Sequence, residues 1–320
     1  MQPVSLAVDV HGGDFGPEVI IDGILEAQRC SETPLKIYVC GEESQIQQLL
    51  QSRGWSKKND DRDIIIVHCA ASVHEKDVPS RVWKNRKESS IIRCISLQKE
   101  GVVSASLSAG DTRIVISAAL FLLGRSKDVS RPALAALLPT TASRPTLLLD
   151  VGANLDCRKE HLVSFGLMGY HYVRLFFAID NPSVALLNVG AESSKGTRTI
   201  MEAAKILAGR CRGYHGFIEG GRVLSGDADV VVCDGFTGNV LLKACESFHS
   251  LTETVLKGNQ KLVETLKKKM SILNAENYGA VPLLGLKGIV LKAHGASSSK
   301  AIAQAIFAAA QAVRQKAFVL

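Results

Sequence analysis

Segments rich in β-branched residues alternate with apolar-periodic segments almost from one end of this chain to the other. Strands are expected at 4–9, 35–40, 64–69, 103–107, 133–138, 146–151, 184–189, 213–218, 229–233 and 287–292. Helices are expected at 16–29, 42–53, 89–100, 113–124, 158–170, 197–208, 238–257 and 298–316. This order makes a mostly parallel sheet with helices on both faces, because a parallel connection must cross back over the sheet. Ligands of such sheets sit at the carboxyl ends of the strands, where strand-to-helix turns converge.

Six of the expected turns share one grammar. They are HGGDFGPEV (11–19), SAGDTRIVI (108–116), GANLDC (152–157), GAESSKG (190–196), CDGFTGN (233–239) and AHGASSSKA (293–301). Each places glycine with Ser, Thr, Asn or Asp between an apolar strand and a helix. Any one of them is explained by positive φ at glycine and a capped helix start. Six on one side of one sheet make an anion site, since bare N–H groups and helix dipoles both favour negative charge. A phosphate or carboxylate ligand is the expectation.

The remaining features narrow the class. The 320 residues suffice for one large α/β unit or two modest domains. No segment approaches the roughly 18–20 apolar residues of a membrane span, and MQPVSLAVDV has no basic region typical of a signal peptide, so a cytoplasmic protein is expected. The eight cysteines form no C-x-x-C pair and read as free thiols, and no metal cluster is evident. Asp227, Asp229 and Asp234 are spaced so that they fall on differing faces. With 38 Lys and Arg against 31 Asp and Glu, the charge of +7 steers anionic partners: lipid or an acidic carrier protein. Nucleic acid is not expected, because aromatics are only 5% and do not interleave with basic residues. Lys84, Arg86 and Lys87 form a basic patch, either a solvated face or a dock for an acidic carrier. Residues 247–277, interrupted at Gly258-Asn259 and tipped by Lys267–Lys269, read as a helical hairpin for a partner subunit or a membrane surface. There is no P-loop and no G-x-S-x-G elbow, and GGDFG lacks dinucleotide spacing. If the protein transfers an acyl group, the transfer is direct, without a covalent intermediate, and no cofactor is expected.

The blocks DVHGGDFGPE, LSAGDT, RPALAALLPT, LLLDVGANLDC, ALLNVGAESSKG, VVVCDGFTGNVLLK and YGAVPLLGLKGIVLKAHG, in this order across residues 4–310, resemble the bacterial PlsX-type phosphate acyltransferases. The resemblance implies a three-layer αβα fold with a mixed, mainly parallel sheet, similar to isocitrate and isopropylmalate dehydrogenases. It implies a single catalytic unit, 1–320, of two intertwined lobes with a protruding hairpin. The implied reaction joins the acyl group of long-chain acyl-acyl-carrier protein to inorganic phosphate, releasing acyl phosphate for a downstream glycerol-3-phosphate acyltransferase in phospholipid synthesis. The implied assembly is a homodimer loosely associated with the inner face of the cell membrane.

For that chemistry Lys292 and His294 are the expected cation and acid/base, Asn154 an oxyanion donor, and Asp234 a residue that orients a base or only shapes its turn. Gly12, Gly13, Asp14, Ser108, Gly110, Thr112, Gly235, Thr237, Gly238, Asn239 and Gly295 are the expected phosphate and substrate contacts. Cys157 reads as packed rather than nucleophilic. SAGDTR departs from the family's S-A-G-N-T-G at Asp111 and Arg113, which can pair or can alter the site, and His11 stands where methionine is usual. Two rival readings are a phosphotransacetylase acting on a coenzyme A thioester and a non-catalytic membrane-docking scaffold of lipid synthesis.

Overall fold

The structure is a computed structural model and describes residues 2–55, 63–70, 73, 76–142, 144–255 and 279–316. The chain divides into two compact units, Met1–Ser126 with Tyr278–Val319, and Lys127–Asn277. The first unit opens with β1 (Val4–Asp9), α1 (Pro17–Cys30), β2 (Leu35–Gly41), α2 (Glu43–Ser52), β3 (Asp63–His68), α3 (Pro79–Asn85), α4 (Ser90–Lys99), β4 (Ala105–Ser108) and α5 (Thr112–Leu123). The second unit follows with β5 (Ala133–Leu138), β6 (Thr146–Leu149), α6 (Lys159–Phe176), β7 (Val184–Asn188), α7 (Arg198–Arg210), β8 (Tyr214–Glu219), β9 (Val230–Val232) and α8 (Gly235–Val255). The chain then returns to the first unit through β10 (Ala280–Leu284), β11 (Ile289–Ala293) and α9 (Ser299–Gln315).

The first unit's strands lie in the order β3-β2-β1-β4-β11-β10, parallel except for β10. Those of the second lie in the order β5-β6-β9-β7-β8, parallel except for β5. The fold is therefore α/β with a mixed, mainly parallel sheet flanked by helices, as the alternating pattern requires. In the first unit α1 turns Ile20, Ile21, Ile24 and Ala27 inward, a 3–4 spacing, and packs on α9. The buried alanines of α9 at 301, 305 and 309 keep that face thin enough for close approach. In the second unit α6 covers β6, β9 and β7 with Leu162, Phe165, Met168 and Val173. Full burial of one such side chain stabilises the fold by about 2–3 kcal/mol.

Several expected boundaries move for local reasons. The strand expected to reach 151 stops at Leu149, because the Asp150 carboxylate turns back to accept the N–H groups that follow it. The helix expected from 238 starts at Gly235, so Thr237, Gly238 and Asn239 belong to its first turn and not to a loop. Strand β10 was not expected, since Pro282 lies inside it and proline cannot donate to a ladder. The helix α6 extends past the expected residue 170 to Phe176. Of the hairpin expected at 247–277, residues 256–277 lie outside the described residues. No described helix is long and apolar enough to cross a membrane.

Candidate active site

In the first unit β1, β4 and β11 are parallel neighbours, so their carboxyl ends deliver three of the glycine-bearing turns side by side. Each turn leads into a helix: α1, α5 or α9. Asp9, buried at the end of β1, accepts the Ser108 hydroxyl hydrogen at 2.6 Å and the His11 N–H at 3.2 Å. Gly110 N–H in turn donates to Ser108 Oγ at 3.0 Å. Ser108 thus spends its only hydrogen on Asp9, and its part is to shape the loop. The loops touch through their glycines: a Cβ on Gly12 would lie 2.6 Å from Gly110 N and 2.9 Å from Asp9 Oδ2. Asp14 N–H donates to Gly295 O at 2.8 Å. Asp14 is exposed and is not a cap; Gly16 precedes α1, and Pro17 takes its first position.

Lys292 sits on β11 in register with Ser108 and is buried. Its ammonium donates to Ala109 O at 3.3 Å and to Ala293 O. A cation taken from water and surrounded by protein dipoles gains when an anion comes beside it. The N-termini of α1, α5 and α9 add positive potential at the same edge. His294 is exposed, and its Nδ1 accepts the Ala296 N–H at 3.1 Å, which fixes the neutral ring as the Nε2–H tautomer. Thr112 is the first residue of α5.

The two departures from the family pattern have local explanations. Asp111 caps α5, accepting Arg113 N–H at 2.8 Å and Ile114 N–H at 3.2 Å, and pairs with the Arg113 guanidinium at 3.0 Å. Partial burial opposes ionisation of Asp111, but the Arg113 side chain and the two backbone N–H groups outweigh it and hold the carboxyl below its ordinary value. His11 Nε2 accepts the Glu42 N–H at 3.1 Å, an anchor from β1 to the start of α2 that methionine cannot supply.

In the second unit β6, β9 and β7 are parallel neighbours and again deliver three turns to one edge. Asp150, fully buried, accepts N–H groups from Leu134, Gly152, Ala153, Asn154 and the Asn154 side-chain amide. Burial pushes the Asp150 carboxyl above its ordinary value, against the pull of those donors. The oxyanion role expected of Asn154 is corrected here. Its amide gives one hydrogen to Asp150 and the other to Pro132 O, both at 2.9 Å, and has none left for a substrate.

The start of α8 rests on this loop. Gly235 N–H donates to Asn154 O at 2.8 Å, and a Cβ on Gly238 would lie 1.9 Å from Asp150 O. Asp234 accepts the Thr237 N–H at 2.9 Å and the Thr237 hydroxyl at 2.7 Å, so it shapes the helix start. Thr237 correspondingly has no hydrogen to offer phosphate. Asn239 is exposed beside Gly152, and its amide makes no hydrogen bond among the described residues. Cys157 Sγ lies 3.6 Å from Asn154 O, and burial, then the Asp150 charge, pushes its thiol up to about 12. A thiol so held is protonated and inert as a nucleophile. Asp227 is paired with Arg222 at 2.5 Å, while Asp229 accepts the Ser183 N–H and hydroxyl, each at 2.8 Å. In the third turn Asn188 holds Gly190 O and Lys195 O, and Lys195 pairs with Glu192.

Of the expected residues, the first unit therefore gathers Gly12, Gly13, Asp14, Ser108, Gly110, Thr112, Lys292, His294 and Gly295, and the second gathers Asn154, Asp234, Gly235, Thr237, Gly238 and Asn239. Asp9 and Asp150, which organise the two clusters, were missed. The signal was present, an Asp-Val pair closing an apolar strand just before a glycine, at 9–10 and at 150–151.

Comparison with known proteins bears on the reaction. The model of the family described as fatty acid synthesis protein matches residues 4–320. The chain belongs to this family. Among its relatives, the phosphate acyltransferase of Dictyoglomus turgidum is 35% identical over 323 residues, covering 97% of this chain and 94% of that protein. The phosphate acyltransferase of Campylobacter concisus is 38% identical over 320 residues, covering 96% and 93%. Among solved structures, a phosphotransacetylase from Streptococcus pyogenes superposes with a TM-score of 0.68 at 17% identity, covering 98% of this chain and 94% of that one. A 4-hydroxythreonine-4-phosphate dehydrogenase from Burkholderia phymatum gives a TM-score of 0.54 at 13% identity, covering 100% and 99%. At these identities the structures speak for the fold. These solved neighbours share the α/β frame described above.

Proposed function

We propose that this chain is a phosphate acyltransferase, an enzyme that moves an acyl group from a thioester to inorganic phosphate in fatty acid and phospholipid synthesis. Near-full-length relatives of that name supply the reaction. The observation in the structure that supports it is the buried ammonium of Lys292 at the edge where α1, α5 and α9 begin. A phosphate oxygen attacks the thioester carbonyl carbon, and the C–O bond forms as the carbonyl becomes an oxyanion. The oxyanion collapses, the C–S bond breaks, and the thiolate leaves with the electron pair. A thiol of pKa about 8.5 leaves without a strong general acid, so the protein's task is to hold phosphate and stabilise negative charge. Lys292 does this in the first unit, and His294 is the group there able to exchange a proton near neutral pH. In the second unit the exposed Asn239 amide has hydrogens to give.

The acyl donor is a long-chain acyl-acyl-carrier protein, and the acyl phosphate product is of the kind a glycerol-3-phosphate acyltransferase consumes. Purified protein given long-chain acyl-acyl-carrier protein, phosphate and hydroxylamine is expected to yield acyl hydroxamate above the enzyme-free background only when phosphate is present. Turnover of the coenzyme A thioester in preference would make the enzyme a phosphotransacetylase instead, and no hydroxamate from either would leave a scaffold. A cytoplasmic homodimer docked on the inner membrane face completes the reading. It is supported by α8, where Phe236, Val240, Phe248, Leu251 and Val255 stand exposed at helical spacing. Light scattering and vesicle flotation test the two associations separately; a monomer that does not float sinks both.

A further inference from the structure

Outside the two edges, the first unit carries a compact surface whose composition is unlike the rest. The short helix α3 is fastened on both sides. Asp77 and Arg86 form a forked ion pair at 3.1 Å across it, and Ser117 Oγ of α5 donates to Pro79 O at 2.8 Å. On that scaffold Trp83 of α3 stacks on Phe121 of α5, with centroids 5.3 Å apart and planes 16° apart. The indole N–H is satisfied internally by Ser80 O at 3.0 Å. Val78 is 54% and Phe121 49% exposed, so the stack and its neighbour show an apolar face to solvent.

The same segment carries Arg81, Lys84 and Lys87, all exposed. The Lys84 ammonium lies 4.8 Å from the Trp83 ring centroid. Arg86 is neutralised by Asp77, whereas these three cations have no ion pair among the described residues. An aromatic centre with one cation over it and two more exposed on the same segment, held on packed helices, has the anatomy of a protein-docking site, in which Trp and Arg carry most of the energy.

We propose that the α3–α5 face is the docking surface for an acidic carrier protein that delivers the acyl thioester. The inference rests on the carrier-protein reading above and adds the place of contact. Charge decides the occupant, because three unneutralised cations on the same segment as an apolar centre complement an acidic surface with apolar residues of its own. A protein fits better than a bilayer: the aromatic pair lies stacked rather than projecting. Position also fits. Thr112, which opens α5 at the candidate anion edge, and Phe121 are nine residues apart on one helix, about 14 Å along its axis at ~1.5 Å per residue. A flexible prosthetic arm bridges such a span while its protein stays docked.

The test is direct binding of fluorescently labelled acyl-carrier protein, read by anisotropy for the wild type and for the triple variant Arg81→Glu, Lys84→Glu, Lys87→Glu. All three positions are exposed, so the fold is not at stake. The affinity is expected to fall at least tenfold, and the KM for acyl-carrier protein to rise with it. Wild-type binding is expected to weaken steeply between low and physiological salt, and that of the variant is not. Val78→Ala, which leaves charge untouched, is expected to weaken binding several-fold. Unchanged carrier affinity in the triple variant overturns the proposal. So does a variant that loses phosphatidylglycerol vesicles but keeps the carrier, since the face is then a membrane surface. If wild type binds the carrier through these residues yet makes no acyl phosphate, the docking face stands and the reading of the reaction falls.

Discussion

Asp9 and Asp150 hold the same station in the two units. Each closes a parallel strand, each is followed by valine, and each accepts the N–H two residues on. Their surroundings then diverge. Asp150 accepts five N–H groups, and its loop is closed over by the start of α8. Asp9 accepts two hydrogens, one of them from a hydroxyl, and has a buried lysine in its own unit and bare glycines beside it. A carboxylate has about four lone-pair sites, so the first is saturated and the second is not. One turn grammar thus serves two purposes: the second unit uses it to finish a knot, and the first leaves its glycine-bearing turns open on the edge that carries the buried Lys292.

The contrast is broken most directly at Lys292. Lys292→Met keeps the stem and removes the charge, and it is expected to lower kcat about 10²–10³-fold, the usual cost of one lost oxyanion donor. Hydroxamate formation at saturating substrate measures it. Activity within threefold of wild type would mean that the first unit's edge is as structural as the second's.

The next effect is on stability and belongs to the second unit. Gly238→Ala forces a methyl group against the Asp150 carbonyl, so the stability measured by urea unfolding is expected to fall by about 1–3 kcal/mol. The corresponding change in the first unit, Gly12→Ala, is expected to weaken phosphate binding, because the loops it would separate are those around the anion edge. Equal and purely structural losses at both glycines would erase the distinction between the units.

Asp111→Asn is smaller. Asparagine still caps α5, so what goes is the exposed pair with Arg113, about 0.2–1 kcal/mol. The sign follows from the depressed carboxyl. The contribution is present above the unfolded Asp value near 3.9 and is lost as pH falls through the lower folded value. Wild type and variant should therefore differ at pH 7 and converge in acid. The smallest effect is at Cys157, whose thiol is held near 12. Iodoacetamide at pH 8 is expected to leave it unmodified in the folded protein and to label it in urea, with mass spectrometry as the readout. Rapid labelling of the native protein would reopen the nucleophile question.

Much of the frame was legible in the residues. The β-branched runs at Val230–Val232 and at Ile289–Ala293 announce strands, and Pro17 announces the start of α1. Strand β10 was concealed by Pro282, whose type speaks against a ladder although its neighbours pair. The candidate site was legible as a set of turns but not as a set of roles. Asn154, Thr237 and Ser108 are the residue types that bind phosphate, and in each the side-chain hydrogens are already given, to a carboxylate in all three and for Asn154 also to the Pro132 carbonyl. The residue types do not say which hydrogen is already taken: Asp9 reaches Ser108 from another strand, while Asp150 and Asp234 act within their own turns. The pairing of Asp111 with Arg113 was visible as one of two outcomes, and the helix cap selects it.

The seat of Gly238 on the Asp150 carbonyl has a mechanical side. The helix α8 has 21 residues, a rod of about 30 Å at ~1.5 Å per residue. Its first turn is clamped with no clearance, and its far half carries the exposed apolar stripe. A rod clamped at one end cannot be displaced at the other without loading the clamp. Displacing Phe248, Leu251 or Val255 would therefore load the loop of Asp150, and the exposed Asn239 lies one residue from the fulcrum.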